Sequence, residues 1–175
     1  MKPRIYFVSG VCGSGKTTVI PHLKELLAGD QYDIRDFNEF GVPAEGGNAW
    51  RMDQTRKWLR IGAESAERGV STIICGFARP MDFNDLRAEG IPEIVVILLD
   101  ADAETIRERL KGRYTKNGVF DEHQTVIGTP VNDFIQSNVN YVNTMRKECM
   151  DARCPIIDTT LLAPEEVARK IIACL

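Results

Sequence analysis

The run Gly10–Thr17, which reads GVCGSGKT, matches the pattern GxxxxGK[ST] and constrains the fold of this chain more than any other feature. It follows an apolar segment, Ile5–Val8, and precedes a segment of helical periodicity. This is the strand, loop and helix order in which the pattern forms a phosphate-binding loop. Its glycines allow backbone conformations that let successive N–H groups point inward at phosphate oxygens, and the helix N-terminus adds partial positive charge. The run predicts an α/β chain that binds a nucleoside triphosphate.

The side chains of the predicted loop have expected electrostatic roles. Lys16 should reach the β- and γ-phosphates, the Thr17 hydroxyl should be a direct Mg²⁺ ligand, and Thr18 could meet the α-phosphate. The other nucleotide-binding positions are Gly10, Cys12, Gly13, Ser14 and Gly15. We therefore expect ATP and Mg²⁺ as the cofactors.

The composition fits a single domain over residues 1–175, because a chain of this length can bury a core. A net charge of −3 and a pI near 5.5 argue against the broad positive field of a nucleic-acid binder. The apolar stretch Ile94–Leu99 is far shorter than the ~20 residues that span a bilayer, and the N-terminus lacks the pattern of a secretory signal. Five cysteines without a CxxC pair fit reduced thiols. We expect a cytoplasmic protein with neither a membrane nor a nucleic-acid partner.

Apolar runs of strand length alternate with segments of helical periodicity, which predicts a parallel sheet with helical crossovers. The expected strands are Ile5–Val8, Tyr32–Asp36, Thr72–Cys75, Ile94–Leu99 and Pro155–Asp158. The expected helices are Lys16–Ala28, Ala49–Arg68, Pro80–Ala88, Ala103–Lys111, Pro130–Met150 and Pro164–Cys174. Pro21 falls inside the first of these helices, where it should cost a hydrogen bond.

The phosphate loop, the order of strands and helices, and the arginines at 107, 109 and 113 resemble the small P-loop kinases related to nucleoside monophosphate kinases, shikimate kinase and gluconate kinase. The resemblance covers nearly the whole chain. It implies a three-layer α/β/α P-loop NTPase fold with a five-stranded parallel sheet in the order 2-3-1-4-5. It also implies ATP across the carboxyl end of the first strand, an acceptor-covering region at about residues 40–68 and a small lid at about 113–128.

The residues that follow the second strand should lie near an acceptor, because ligands bind beyond the carboxyl ends of parallel strands. Asp36 falls where several of the resembled kinases have an Asp that contacts the acceptor hydroxyl or a magnesium-bound water. A carboxylate can orient a hydroxyl and accept its proton, and Glu39 competes for the same role. The alternative is that Asp36 only forms a turn, since Asp readily bonds to nearby backbone N–H groups.

The segment after the third strand, which reads CGFARP at 75–80, is similar to the D-G-F-P-R turn of adenylate kinases. Cys75 takes the place of the acid that usually supports the magnesium shell in those kinases. Gly76 would let an acceptor approach the backbone, and Arg79 could pair with an anionic group, unless it is a plain surface arginine. Arg51, at the junction of the Gly- and Pro-rich stretch Gly41–Asn48 and the next helix, is a further candidate for anchoring the acceptor.

Arg109 and Arg113 lie four residues apart, directly before the polar stretch Tyr114–Gly128, so one helical face would carry both. The resembled kinases have arginines there that close over the phosphates and neutralise charge between donor and acceptor. By the same resemblance, the loop at Thr159 and Thr160 would lie against the adenine, although capping of the next helix by Thr160 is a sufficient structural reason for that residue.

Together these residues predict an ATP- and Mg²⁺-dependent kinase that moves the γ-phosphoryl group to a hydroxyl of a small molecule, either a metabolite or a nucleoside. A nucleoside monophosphate kinase is one alternative, because the turn at 75–80 suggests an anionic nucleotide acceptor. A nucleotide-binding switch protein with weak ATPase activity is an alternative of another class, since Cys75 replaces the usual acid. The sequence leaves open the identity of the acceptor and the choice between a monomer and a homodimer.

Overall fold

The structure of the protein is a computed structural model that describes residues 2–29, 31–43, 46–84, 86, 90–116, 119–120, 124–126 and 128–175. Within those residues the largest sheet has five strands: β1 (Ile5–Ser9), β2 (Tyr32–Asp36), β3 (Ser71–Cys75), β4 (Ile94–Asp100) and β5 (Ile156–Asp158). The strands run in the order β2-β3-β1-β4-β5, and all of their pairings are parallel. The predicted strand order and fold class are confirmed.

The part of the chain that the structure describes contains five α-helices: α1 (Ile20–Leu26), α2 (Asn48–Glu67), α3 (Ala103–Arg113), α4 (Val131–Asp151) and α5 (Pro164–Ile172). Two short hairpins lie in the region predicted as a lid. One pairs Thr115–Lys116 with Val119–Phe120, and the other pairs Thr125–Val126 with Thr129–Pro130. Among these helices, none combines the length and the apolar composition needed to cross a membrane.

The side chains of β1 alternate between the two faces of the sheet, as those of any strand do. Tyr6 and Val8 belong to the core cluster that contains residues of α1 and α5. Ile5 and Phe7 belong to the cluster that contains residues of α2, among them the fully buried Trp58. Because helices cover both faces, β1 is apolar from Ile5 to Val8 and the architecture has three layers.

The helices α3 and α4 pack together beside the phosphate loop. Ile106 and Leu110 of α3 share a core cluster with Val131 and Ile135 of α4, and Val11 of the loop belongs to the same cluster. The apolar packing of these two helices therefore extends to the phosphate loop.

The first predicted helix differs from the observed one at its start. Regular helix begins at Ile20, while residues 16–19 form turns. Pro21 therefore lies in the first turn of α1, where its missing N–H leaves no helical hydrogen bond unmade. The end of the phosphate loop therefore remains in turns for four residues that the helical periodicity of the sequence had assigned to the helix.

Two further predictions need adjustment. The segment predicted as a helix over Pro80–Ala88 forms a 3₁₀ turn over Pro80–Phe83, and residues 85, 87 and 88 of that prediction lie outside the described residues. Thr160 does not cap α5, because Ala163 occupies the capping position and its N–H donates to Glu166 at 2.8 Å. The Thr160 hydroxyl instead accepts from the N–H of Asp102 at 3.1 Å.

Candidate active site

Gly10 begins the phosphate loop where the chain passes close to the backbone of β4. Its φ is +150°, and a Cβ at this position would lie 2.4 Å from the carbonyl oxygen of Leu99. Gly15 has a φ of +100° and open space around it, so its need is conformational rather than steric. Both positions explain why the loop requires glycine.

The loop presents backbone N–H groups that have no protein acceptor among the described residues, namely those of Gly13, Gly15, Lys16, Thr17 and Thr18. A cluster of such free donors at the start of a helix is typical of an anion site, because successive N–H groups and the helix dipole both attract negative charge. Two predicted donors are engaged elsewhere. The Ser14 N–H donates to the Val11 carbonyl at 3.2 Å, and the Cys12 N–H donates to Asn138 Oδ1 at 2.9 Å.

Lys16 lies folded against the loop that it follows. Its ammonium donates to the Val11 carbonyl at 2.8 Å, and the side chain is half-buried. Burial lowers the pKa of Lys16 below its ordinary value, and the positive charge of Arg113 lowers it further. A phosphate in the cradle would replace the hydration that this ammonium has lost.

The carboxylate of Asp36 meets the hydroxyl of Thr17 at the ends of β1 and β2. Thr17 Oγ1 donates to Asp36 Oδ2 at 3.2 Å, and the N–H of Asn38 donates to Asp36 Oδ1 at 2.8 Å. The turn-forming contact and the contact with the phosphate loop therefore occur in the same side chain, each through a different oxygen.

Thr17 and Asp36 also fit a magnesium site. Both provide hard oxygen ligands, and Mg²⁺ in such sites is held by one or two protein groups together with phosphates and water. The described residues contain no cluster of three or more His, Cys, Asp or Glu side chains that could hold a metal ion by themselves. A hydroxyl beside a carboxylate at the rim of an anion cradle is the arrangement that a phosphate-bound Mg²⁺ needs.

Glu39, the competing carboxylate, lies in the turn after β2 and forms an ion pair with Arg35 of that strand. Arg35 Nη1 is 3.4 Å from Glu39 Oε1, and Arg35 Nε is 2.6 Å from Asp33 Oδ1. Asp36 rather than Glu39 contacts the phosphate loop.

Cys75 remains a neutral thiol in this fold. It is buried at the end of β3, and burial together with the charge of Asp36 raises its pKa to about 12. It therefore cannot supply the negative charge of the acid that it replaces. Its neighbour Gly76 is needed for packing, since a Cβ there would lie 2.0 Å from Phe37 Cβ.

The two arginines predicted to bind the acceptor are both in ion pairs. Arg51 binds the carboxylate of Asp82 through both of its terminal nitrogens. Arg79 binds Glu148 of α4 through Nε at 3.0 Å and through Nη2 at 2.6 Å. The structure brings both near the turn after β3, but each faces a carboxylate of the protein.

Arg109 lies beside the loop that follows β5. Its guanidinium donates to the Thr159 carbonyl at 2.7 Å and to the Gly13 carbonyl at 3.3 Å. A cavity of about 240 Å³ opens here, lined by Gly13, Ser14, Gly15, Thr18, Val19, Arg109, Arg113, Thr159, Leu162, Pro164 and Val167. Arg109 and Arg113 thus both line this cavity, and Arg113 is exposed at its rim.

Two residues hold the phosphate loop from outside; sequence reasoning missed Asn138 and placed Thr159 only in a loop beside the adenine. Asn138 of α4 accepts from Cys12, and its own amide donates to the Phe134 carbonyl at 2.8 Å. Thr159 is buried, and its hydroxyl is within 3.2 Å of the Ser14 carbonyl and 2.9 Å of the Asp100 carbonyl. No local pattern announces Asn138, because its partner is 126 residues away.

Three kinases are similar in sequence to this chain. A probable adenylyl-sulfate kinase of Aeropyrum pernix is 28% identical over 84% of this chain and 94% of its own length. A protein of Pyrococcus furiosus with a provisional assignment as an adenylate kinase is 27% identical over 96% of this chain and 82% of its own. The thermoresistant gluconokinase of Escherichia coli is 30% identical over 62% of this chain and 66% of its own. No protein-family model matches the sequence.

Solved structures support the same fold. A sugar kinase from Janibacter superposes with a TM-score of 0.63 at 23% identity and covers 98% of this chain and 93% of its own. The shikimate kinase of Acinetobacter baumannii in complex with shikimate gives 0.61 at 18% identity and covers 98% of this chain and 92% of its own. The phosphate loop, the strand order and the similarity to named kinases agree, and they identify the chain as a kinase with the P-loop fold that is similar to gluconokinase, shikimate kinase, adenylate kinase and adenylyl-sulfate kinase.

Proposed function

We propose that this kinase transfers the γ-phosphoryl group of Mg²⁺–ATP to a hydroxyl group of a small molecule. The observation that carries the proposal is the position of Asp36, whose Oδ2 lies 3.2 Å from the Thr17 hydroxyl. A carboxylate at this point stands beside the phosphate cradle and also beside the turns where an acceptor would bind. It can therefore serve both the donor and the acceptor.

The donor half of the proposal is supported by the free N–H groups between Gly13 and Thr18 and by the ammonium of Lys16. The N–H groups would bind phosphate oxygens, and Lys16 would exchange its contact with the Val11 carbonyl for the β- and γ-phosphates. The cavity beside Arg109 and Thr159 has room for a nucleoside at the other end of the cradle. These features favour a nucleoside triphosphate as the donor.

Thr17 and Asp36 are the residues that would hold Mg²⁺, directly or through water. When bound, the ion neutralises charge on the β- and γ-phosphate oxygens. The hydrogen bond that Thr17 now gives to Asp36 keeps both oxygen ligands on one side of the cradle.

On the acceptor side, Asp36 would accept the proton of the acceptor hydroxyl. The hydroxyl oxygen would bond to the γ-phosphorus as the bond between that phosphorus and ADP breaks. The N–H of Asn38 holds one oxygen of Asp36 in place, so the other is the one directed to the chemistry. Lys16, and Arg113 from the rim, would stabilise the charge of the moving group. The named relatives differ in acceptor, so similarity alone does not choose one.

The test is ADP release with a panel of hydroxyl compounds, using Lys16→Ala as the blank. Asp36→Asn should lower kcat by about 10²–10⁴-fold, because a positioned proton acceptor contributes about that much. Its affinity for ATP without metal should stay within about two-fold, since the cradle donors are unchanged.

Asp33→Asn is the matched control. It removes a carboxylate from the same strand, but this carboxylate pairs with Arg35 and does not contact the phosphate loop. Turnover by Asp36→Asn equal to that of Asp33→Asn would remove Asp36 from the chemistry. ATP binding without stimulation by any acceptor would favour a nucleotide-binding switch protein.

A further inference from the structure

The pairing of Arg51 leaves little of this side chain for a ligand. Both terminal nitrogens bind Asp82, and Nη2 also donates to Asn48 Oδ1 at 2.5 Å. Only 12% of Arg51 and 7% of Asp82 is exposed. Asp82 also accepts from the backbone N–H of Arg79 at 2.7 Å, so this carboxylate is held by two different segments.

Arg79 is closed off in a similar way. Its guanidinium forms two hydrogen bonds with Glu148, and the exposed fractions of the two side chains are 29% and 16%. The hydroxyl of Tyr141 lies 3.3 Å from the same carboxylate. The two arginines and the two acids cancel, so the end of β3 gains no net charge from these four residues.

An anionic acceptor would therefore meet neutral pairs rather than free cations. To bind it, an arginine would have to leave its carboxylate, and that partly buried acid would remain unpaired beside the incoming anion. Removing one partner from a buried ion pair is strongly unfavourable. Asp36, which stands at the same edge of the sheet, would add further repulsion.

Aromatic rings flank the same place. The Arg51 guanidinium lies over the Phe77 ring, 5.4 Å from its centroid, and the Tyr141 ring is 5.9 Å from that of Phe77. Trp50, next to Arg51 on α2, packs edge-on against Phe37 at 6.1 Å. Phe77 and Trp50 are only half-buried, so they present apolar surface of the kind that lines small-molecule sites.

We propose that the acceptor is an uncharged hydroxyl compound with an apolar ring or face, and that the ion pairs Arg51–Asp82 and Arg79–Glu148 exclude acids from the site. This inference rests on the phosphotransfer function proposed above. Its acceptor class is neutral polyols, glycosides or nucleosides, rather than sugar acids or nucleotides.

The first test compares acceptors in pairs, each with one uncharged and one anionic member. ADP release is measured with glucitol and gluconate, with methyl shikimate and shikimate, and with adenosine and AMP, each against Lys16→Ala. We expect the uncharged member of the productive pair to give at least about ten-fold higher kcat/KM, because binding the acid requires breaking an ion pair. An acid that is the better acceptor of its pair overturns the proposal.

The second test measures binding and does not depend on turnover. AMP and gluconate are titrated calorimetrically in the presence of a non-hydrolysable ATP analogue. Asp82→Asn and Glu148→Gln, which release the two arginines, should bind at least one of these anions about ten-fold more tightly than the wild type. Asp53→Asn is the control, because it makes the same charge change at an exposed ion pair. Asp53 pairs with Arg56, and their side chains are 73% and 55% exposed, respectively.

The binding result decides the proposal even if no acceptor is turned over. The proposal is overturned if the wild type binds either anion as tightly as Asp82→Asn and Glu148→Gln do. It is also overturned if these two variants bind the anions no more tightly than Asp53→Asn does. Failure of the phosphotransfer function would show separately, as a wild-type protein that binds ATP but whose ADP release is stimulated by no acceptor of the panel.

Discussion

Replacing Gly76 with alanine tests how tightly the turn after β3 holds the segment that carries Asp36. A Cβ at position 76 would lie 2.0 Å from Phe37 Cβ and 2.6 Å from Phe37 Cγ. Phe37 cannot move aside easily, because it is 2% exposed. Its N–H donates to the Cys75 carbonyl at 3.0 Å, and its carbonyl accepts from Trp58 Nε1 at 3.0 Å. The clash therefore falls on the Cβ and ring of Phe37, and the Cβ cannot move without the backbone next to the proposed base, Asp36.

The expected size of the effect follows from these distances. Carbon atoms in contact lie about 3.5–4.0 Å apart, so the turn or Phe37 must shift by roughly 1.5 Å. Overpacking a tight core costs about 1–3 kcal/mol, and a site this restrained belongs at the upper end, about 3 kcal/mol. For a domain of this size each kcal/mol lowers Tm by about 2–4 °C, which gives a decrease of about 6–12 °C. A shift of about 1 Å at the chemistry can cost about 100-fold in kcat.

Thermal unfolding and ADP release, measured on the same preparation, check both effects. Gly62→Ala is the first control, because its Cβ would lie 2.5 Å from Ile5 Cδ1, in the core and away from the site. It should lower Tm without lowering kcat at a temperature where it is folded. Gly112→Ala in α3 is the second control, since nothing lies within 4 Å of its Cβ, and it should raise stability by up to about 1 kcal/mol.

A Gly76→Ala protein that melts within about 2 °C of the wild type and turns over normally would refute the packing argument. Equal losses of kcat in Gly76→Ala and Gly62→Ala would refute the link to Asp36.

The remaining predictions concern the phosphate loop. Burial lowers the pKa of Lys16, so the affinity for ATP should begin to decrease at a pH below 10.5, the ordinary pKa of lysine. Lys16→Arg should keep its affinity over the same pH range. Affinities of the two proteins that change in parallel with pH would contradict this prediction. Between the lowered pKa and 10.5 the unfolded chain binds a proton that the folded chain does not, so the unfavourable contribution of Lys16 to stability should diminish as pH rises. Thr159→Val removes the hydroxyl beside the Ser14 and Asp100 carbonyls; urea titration should show a loss of about 1–3 kcal/mol, and ATP should bind more weakly. Wild-type values for both would exclude Thr159 as a support of the loop.

Much of the fold could be read from local patterns. The apolar runs that became β1 and β4, and the glycine loop between β1 and α1, are contiguous in the chain and carry their own structural preferences. The start of α1 was placed too early, because the loop residues 16–19 follow the demands of an anion cradle rather than helical periodicity. The position of Pro21 is explained only by that later start.

The sequence by itself determined the phosphate loop and the α/β order, since both depend on neighbours along the chain. Only the tertiary structure decided which groups meet at the site. Asp36 reaches Thr17 across 19 residues, and Arg79 reaches Glu148 across 69. A charged residue in a sequence does not disclose its partner, because the pairing is set by how α2 and α4 pack on the sheet. That packing turned two candidate anion-binding arginines into neutral pairs and left Asp36 directed at the phosphate loop.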